Sequence, residues 1–353
     1  MANMMNVLNT IRANASADYQ ERVPVATQDN IAQVGSAVMQ MSVTQNEFLN
    51  LLVNKIAMQI VHTKQFKNPL AVLKKGSVPL GKNLEEIYTN PTTGKPYDPT
   101  GKGLLDTAPP EVMAIYHTRN RQGKHEASIS VAQLMSAFTS YGELENLVNS
   151  IVNAIYSGDN LEEFMLMKEL FASAITGGKI KKVSLGMTEI VDEKGAKSFV
   201  KDVKKAGLSM AVPSTGWNSY YNVVSKVAEN PDTVPHAITW SPIESQILLL
   251  RNDVSVDVDV ELLAKAFQVS YTDLKQRTLL VDGFGSATNC GAILCDESFV
   301  RVYDNFERME EFRNGDGLFD KYMYHHWQTY SLSLFANACA FMFDETETET
   351  ETE

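Results

Sequence analysis

This 353-residue sequence holds no CxxC pair, no HxH or HExxH spacing and no GxSxG elbow. The chemistry that those spacings serve, namely zinc ligation, thiol redox and serine nucleophiles on strained turns, is therefore not expected. Its three cysteines, Cys290, Cys295 and Cys339, are an odd number, which fits unbridged thiols in a reducing compartment. Long apolar runs are missing too. Nothing approaches the ~18 residues of a membrane span, and the amino terminus carries no apolar stretch behind a basic start. A soluble chain with no cleaved export signal and no membrane partner is expected. Basic charge is scarce: 31 Lys and Arg stand against 43 Asp and Glu, a net charge of -12, which argues against a domain that grips nucleic acid by its phosphates. Six of the acids lie in the last ten residues, "DETETETETE", a low-complexity, self-repelling tail predicted to be disordered over 344–353.

What remains has an ordinary globular composition, 44% hydrophobic and 21% charged, enough for a sizeable core and about two subdomains. "TQNEFLNLLVNKIAMQI" opens on Thr44 with Glu47 three residues later, a capping-box spacing, and Phe48, Leu51, Leu52 and Ile56 follow at helical intervals. A helix over 44–60 is predicted. Residues 68–90 and 111–130 read as two extended arms. Between them, residues 89–110 hold five of the twelve prolines and three glycines, so the segment is neither helix nor central strand. The pattern predicts a long protruding β-hairpin, since irregular tips of this length are commonly functional.

Two helices are then expected. In "ELENLVNSIVNAIYSG", Leu144, Leu147, Val148, Ile151, Val152 and Ile155 form one stripe closed by Gly158. In "DNLEEFMLMKELFASAITGG", Asp159 stands at the cap position and Gly177 and Gly178 at the stop. Residues 179–300 mix α and β without a regular βαβ period. There "SQILLLR", "TLLVD" and "GAILC" read as buried strands, and "WNSYYNVVSKVAE" and "ELLAKAF" as helices. "KYMYHHWQTYSLSLF" (321–335) reads as a strand. Tyr322, Tyr324, His326, Gln328 and Tyr330 then share one face, which divides His325 from His326 and leaves a packing wall rather than a paired-histidine site.

Several segments imitate functional motifs. "GSVPLGKN" satisfies G-x-x-x-x-G-K as far as Lys82, but Asn83 replaces the magnesium-binding hydroxyl and "LKK" precedes the first glycine. "DVSVDVDVE" has Val258 where a calcium loop beginning at Asp253 needs glycine, so a strand ending in an Asp257 or Asp259 helix cap is expected instead. The glycines of "DGFGSATNCG" lie between strand-like runs and favour a turn. The basic run "RNRQGK" (119–124) reads as a solvated face or as a partner for acids such as Glu85 and Glu86.

The collinear segments "NPLAVLKKGSVPLGKNLEEIYTN", "RNRQG", "NAIY", "LLAKAF", "VDGF" and "VYDNFERMEEFRNGDGLF" through "YMYHHWQTYSLSLFANACAF" resemble the major capsid proteins of phi-29-like small podoviruses. The likeness runs from about residue 19 to Phe343. It implies an α+β chain with the Hong Kong 97-type capsid fold: an N-terminal arm and helix at 1–64, an extended loop at 65–130, a peripheral domain at 131–178 and 300–343 with a spine helix at 160–176, and an axial domain at 179–299. It further implies a non-enzymatic shell protein that forms hexamers and pentamers of an icosahedral or prolate head. Its expected partners are itself, a scaffolding protein, a portal or connector, and packaged double-stranded DNA contacted weakly. No cofactor, metal or catalytic residue is assigned. Lys82, Glu85, Glu86, Arg119, Arg121 and Lys124 are the candidate intersubunit contacts. Some relatives continue into an immunoglobulin-like domain, whose functions are not carried over to the ET tail. The rival expectations are another kind of virion component and a nucleotide hydrolase using Lys82.

Overall fold

The computed structural model describes residues 4–27, 29–41, 43–44, 47–48, 51, 66–79, 81, 83–95, 97, 99–100, 106–130, 132, 141–257 and 278–344. Lys82, the "ELLAKAF" segment and residues 345–353 of the tail lie outside them, as does most of the helix expected at 44–60. The chain divides into two compact units: 1–68, 121–163 and 304–328 form the first, and 69–120, 164–303 and 329–353 the second.

In the first unit three helices, α1 (Met4–Asn14), α2 (Ala17–Arg22) and α3 (Ile31–Met39), occupy the region expected as an arm. Ser16 caps α2 by accepting from the Tyr19 amide at 3.2 Å, and the Arg12 guanidinium donates to the Val23 and Gln20 carbonyls at 2.7 and 2.6 Å. Their apolar faces bury Leu8, Ile11, Tyr19, Val34 and Val38 against Ile129, Ile151, Ile155, Tyr322 and Tyr324. Residues 43–44, 47–48 and 51 are helical, so Thr44 already stands inside the helix. The capping box is accordingly not formed. Thr44 Oγ1 donates to the Val38 and Met41 carbonyls, and the Glu47 carboxylate accepts from Ser16 instead. A three-stranded sheet has the order β3 (Arg121–Ser130), β9 (Phe319–Leu332), β8 (Val300–Asn314). Strand β3 runs antiparallel to β9 in a register that sets Arg121 opposite Gln328 and Gly123 opposite His326.

The two helices expected on either side of Gly158 are one, α4 (Tyr141–Thr176), 36 residues long. At 1.5 Å per residue it spans roughly 54 Å. Gly158 costs the helix only about 1 kcal/mol relative to alanine. His125 Nδ1 lies 3.4 Å from where a β-carbon would stand there, so the missing side chain admits the imidazole. Asp159 does not cap: its carboxylate faces Arg121 and His326.

The second unit is built on a five-stranded sheet of order β4 (Lys181–Ser184), β10 (Ala338–Met342), β7 (Cys290–Asp296), β5 (Gln246–Arg251), β6 (Thr278–Val281). Its outer pairs are parallel and its inner ones antiparallel. Alternate side chains point to opposite faces. Leu249, Ile293, Cys295 and Ala340 meet Phe164, Met167 and Phe171 of α4, while Leu248, Leu250, Leu294 and Phe341 meet Phe199, Val203 and Met210 of α5 (Glu193–Met210). Helices on both faces explain why "SQILLLR" and "GAILC" are apolar runs rather than alternating ones. Between β6 and β7 the "DGFGSATNCG" glycines form turns, with Gly285 at φ 55°. All three cysteines are buried free thiols, and burial pushes the Cys290 and Cys295 pKa values up to about 12. Only α6 (Tyr220–Val224) forms within "WNSYYNVVSKVAE", and α7 (Asn252–Asp257) is helical where a strand was expected. No helix among the described residues is long and apolar enough to cross a membrane.

Candidate functional site

The hairpin of the second unit pairs β1 (Leu84–Thr89) with β2 (Val112–His117), Glu85 opposite Tyr116 and Thr89 opposite Val112. It is shorter than expected, because the arm breaks at 118–120 and β3 joins β9 instead. One face of this ribbon packs on its own unit: Tyr88 stacks on Phe335 at 5.3 Å, Met113 is buried, and Asn90 Nδ2 donates to the His236 carbonyl at 2.8 Å. The other face is open, with Ile87 60%, Val112 56% and Tyr116 66% exposed. Every described tip residue at 91–110 is exposed, Tyr97 at 91%.

The hairpin is held at its base by Glu86, which accepts from Arg301 Nη2 at 2.6 Å and Ser333 Oγ at 2.8 Å and meets His117 Nε2 at 3.0 Å. Burial raises the Glu86 pKa, but these bonds and the Arg301 charge outweigh it and leave it lowered. Gly76 and Gly81 both adopt positive φ. The element after them is strand β1, where a phosphate-binding loop of this kind leads into a helix.

In the first unit, the β9 face expected as a packing wall carries a charge cluster. His326 Nδ1 lies 2.7 Å from Asp159 Oδ2 and Nε2 lies 3.0 Å from Asp304 Oδ1. Arg121 Nη2 donates to Asp159 Oδ1 and Glu162 Oε2, each at 2.9 Å, and Nη1 donates to Gln328 Oε1. Gln328 Nε2 donates to Glu163 Oε2 and Asp304 Oδ1, both at 2.7 Å, and Asn68 Nδ2 to Glu163 Oε1 at 2.7 Å. Gly123 makes room, because a β-carbon there would stand 3.0 Å from Arg121 Nη2. Donor atoms of Glu163, Asp304 and His326 lie within 4.8 Å of one another, a spacing that suits a metal ion. Glu163 Oε2 and Asp304 Oδ1 already accept from Gln328 Nε2, and Asp304 Oδ1 lies 3.0 Å from His326 Nε2, so these groups are joined in one hydrogen-bonded ion cluster.

Burial pulls the His326 pKa down, but the bonds to Asp159 and Asp304 overcome it and raise the value to about 9. For Asp159 burial raises the pKa, but the His326 hydrogen bond and the His326 and Arg121 charges outweigh it and leave it lowered. Glu311 in the same unit is pushed up to about 7 by burial and by Asp320. A histidine that binds its proton more tightly when folded stabilises the fold fully below its unfolded pKa of about 6.5, and that stabilisation is lost as pH rises through about 9. Glu311 acts in the same sense between about 4.5 and 7. The urea midpoint is therefore expected to fall from pH 6 to pH 9.5, and His326→Gln should flatten the upper part of that slope. An unchanged slope in the variant would contradict the assignment.

The candidate contact residues fall in both units. Glu85 is exposed and accepts from Tyr116 Oη at 2.9 Å; Lys124 is exposed beside Glu126 at 3.0 Å; Arg119 is exposed. Arg121 differs from these three: its side chain is only 7% exposed and pairs with Asp159 and Glu162 of its own chain.

A family model described as Phi29-like phage major capsid protein matches residues 8–342. The chain is 35% identical over 342 residues to the major capsid protein of Bacillus phage PZA, which covers 96% of this chain and 72% of that one. To the major capsid protein of Streptococcus phage Cp-1 it is 30% identical over 350 residues, 94% of this chain and 92% of that one. Among solved structures, the capsid of Staphylococcus phage Andhra superposes with a TM-score of 0.63 over 81% of this chain and 86% of that one, at 14% identity, a likeness of fold alone. With a family match from residue 8 to residue 342 and such identity across nearly the whole chain, the chain belongs to the Phi29-like phage major capsid proteins.

Proposed function

We propose that this chain builds the head shell by tiling with copies of itself in rings of six and five, in a Hong Kong 97-type arrangement. In that arrangement α4 is the spine helix, and residues 131–178 and 300–343 form the peripheral domain, 179–299 the axial domain and 1–64 the arm. The extended loop is the β1–β2 hairpin with its tip. What carries the proposal is the family match together with one geometric fact: the hairpin presents an apolar open face and a proline-rich tip whose described residues are all exposed. A ribbon whose inner face is already packed has its outer face free for a neighbouring copy, as a heterologous contact that closes rings requires. Glu85 and Arg119, both exposed in the hairpin's own unit, tune that contact by charge, and Lys124, exposed on β3 of the first unit, is a further candidate contact. The scaffolding protein, the portal and packaged DNA are the further partners of such a shell. An acidic subunit suits DNA that must slide during packaging.

Purified protein viewed by negative-stain microscopy at neutral pH is expected to give closed particles, rings or tubes. Monomers alone at high concentration, with or without scaffolding protein, would contradict the proposal.

A further inference from the structure

Three buried polar atoms without a hydrogen-bond partner fall on strands β8 and β9 of the first unit: Glu311 Oε2, Asp320 Oδ1 and Tyr322 Oη. An unsatisfied buried polar group is costly, so three of them in one place call for a common partner. Burial alternates along β9, so Asp320 and Tyr322 project from the same buried face, 2% and 1% exposed. The neighbouring strand β8 contributes Glu311 close to its end, beside the turn at 315–318 that leads into β9.

The three side chains act on one another electrostatically. Burial pushes the Glu311 pKa up to about 7 with Asp320 adding to it, burial raises that of Asp320, and burial with the Glu311 and Asp320 charges raises that of Tyr322. Arg313, also on β8, draws both carboxyls back only in part. A proton shared by the two carboxylates would leave the Tyr322 hydroxyl without a partner. A water molecule would join all three atoms but leave two buried negative charges side by side. A divalent cation that takes oxygen ligands meets both requirements. Calcium accepts several oxygens in flexible geometry, which suits two carboxylates and a phenol on neighbouring strands better than the strict octahedron of magnesium. Glu311 is only half-buried, so solvent reaches the position and can complete the coordination.

We propose that Glu311, Asp320 and Tyr322 form a calcium site that clasps β8 to β9 beside their turn. The site lies wholly within one subunit and is independent of how subunits tile.

Thermal unfolding of the full chain, first stripped of divalent ions by a chelator, tests this. Calcium restored at roughly one hundred times its dissociation constant is expected to raise the unfolding midpoint by about 5 °C. Magnesium should need a concentration roughly tenfold higher for the same shift. Glu311→Gln paired with Asp320→Asn keeps the shapes and removes both charges, so it should abolish the shift. Glu311→Gln alone, the milder change, should weaken calcium binding roughly tenfold. Terbium bound in place of calcium should emit under tyrosine excitation in the parent and lose that emission in the paired variant. No calcium shift in the parent would overturn the proposal. An equal shift in the parent and in either variant would overturn it too, because it would place the ion elsewhere on this acidic chain.

Discussion

Arg121→Ala is expected to lower the unfolding free energy of the first unit by about 3–5 kcal/mol, the scale for removing one partner of a buried ion pair. The side chains of Arg121 and Asp159 are each only 7% exposed. Truncating the guanidinium leaves Asp159 with His326 at 2.7 Å and His125 at 3.4 Å, and strips the Gln328 amide oxygen of its Arg121 donor. Urea unfolding followed by tryptophan fluorescence reads this directly, since Trp327 lies on β9 between His326 and Gln328. Pairing Arg121→Ala with Asp159→Asn should cost less than the two single changes added together, because each removes part of the same interaction. The defect should also persist at high salt, since buried charges are poorly screened. Lys124→Glu, on the exposed side of the same strand, should stay within about 0.5 kcal/mol of the parent. A loss below about 1 kcal/mol for Arg121→Ala would show that the cluster is not a structural anchor.

The second large effect is on assembly rather than folding. Ile87→Asp combined with Tyr116→Asp places two carboxylates on the open hairpin face. Both side chains are more than half exposed in the single subunit, so its unfolding midpoint should hardly move. In a shell every subunit repeats the contact, so a penalty of about 3–5 kcal/mol per uncompensated buried charge multiplies around each ring. Closed particles should vanish from sedimentation profiles, leaving subunits or small oligomers. Met113→Ala, on the packed face, should show the reverse hierarchy: a destabilised subunit first and an assembly defect only as its consequence. Normal shell yield from the Ile87 and Tyr116 double variant would remove the hairpin face from the account.

Much of this fold was legible in the sequence. The alternation of β9 was readable because one face is buried, and the apolar runs of β5 and β7 because helices cover both sides. The proline-rich tip announced itself by what it excludes. Local rules misled where distant partners decide. Gly158–Asp159 has the signature of a helix stop followed by a cap, yet α4 runs through both, since His125 fills the space beside the glycine and Arg121 with His326 claims the carboxylate. Thr44 and Glu47 show the same displacement, their side chains bonding to α3 and Ser16 rather than to each other. Arg121 looked like part of a solvated basic run. Only the pairing of β3 with β9 turns it inward, and no local pattern in "RNRQGK" distinguishes Arg121 from Arg119. The one available signal was the coincidence of His326 and Gln328 on a single strand face, two polar groups in a row of tyrosines that must find partners once buried.

The most direct measurement is an electron cryomicroscopy map of assembled particles at side-chain detail. The account predicts closed shells in which a neighbouring copy covers Ile87, Val112 and Tyr116, while Met113 and Tyr88 stay packed on their own subunit. Closed shells with that hairpin face open to solvent in every subunit would contradict it.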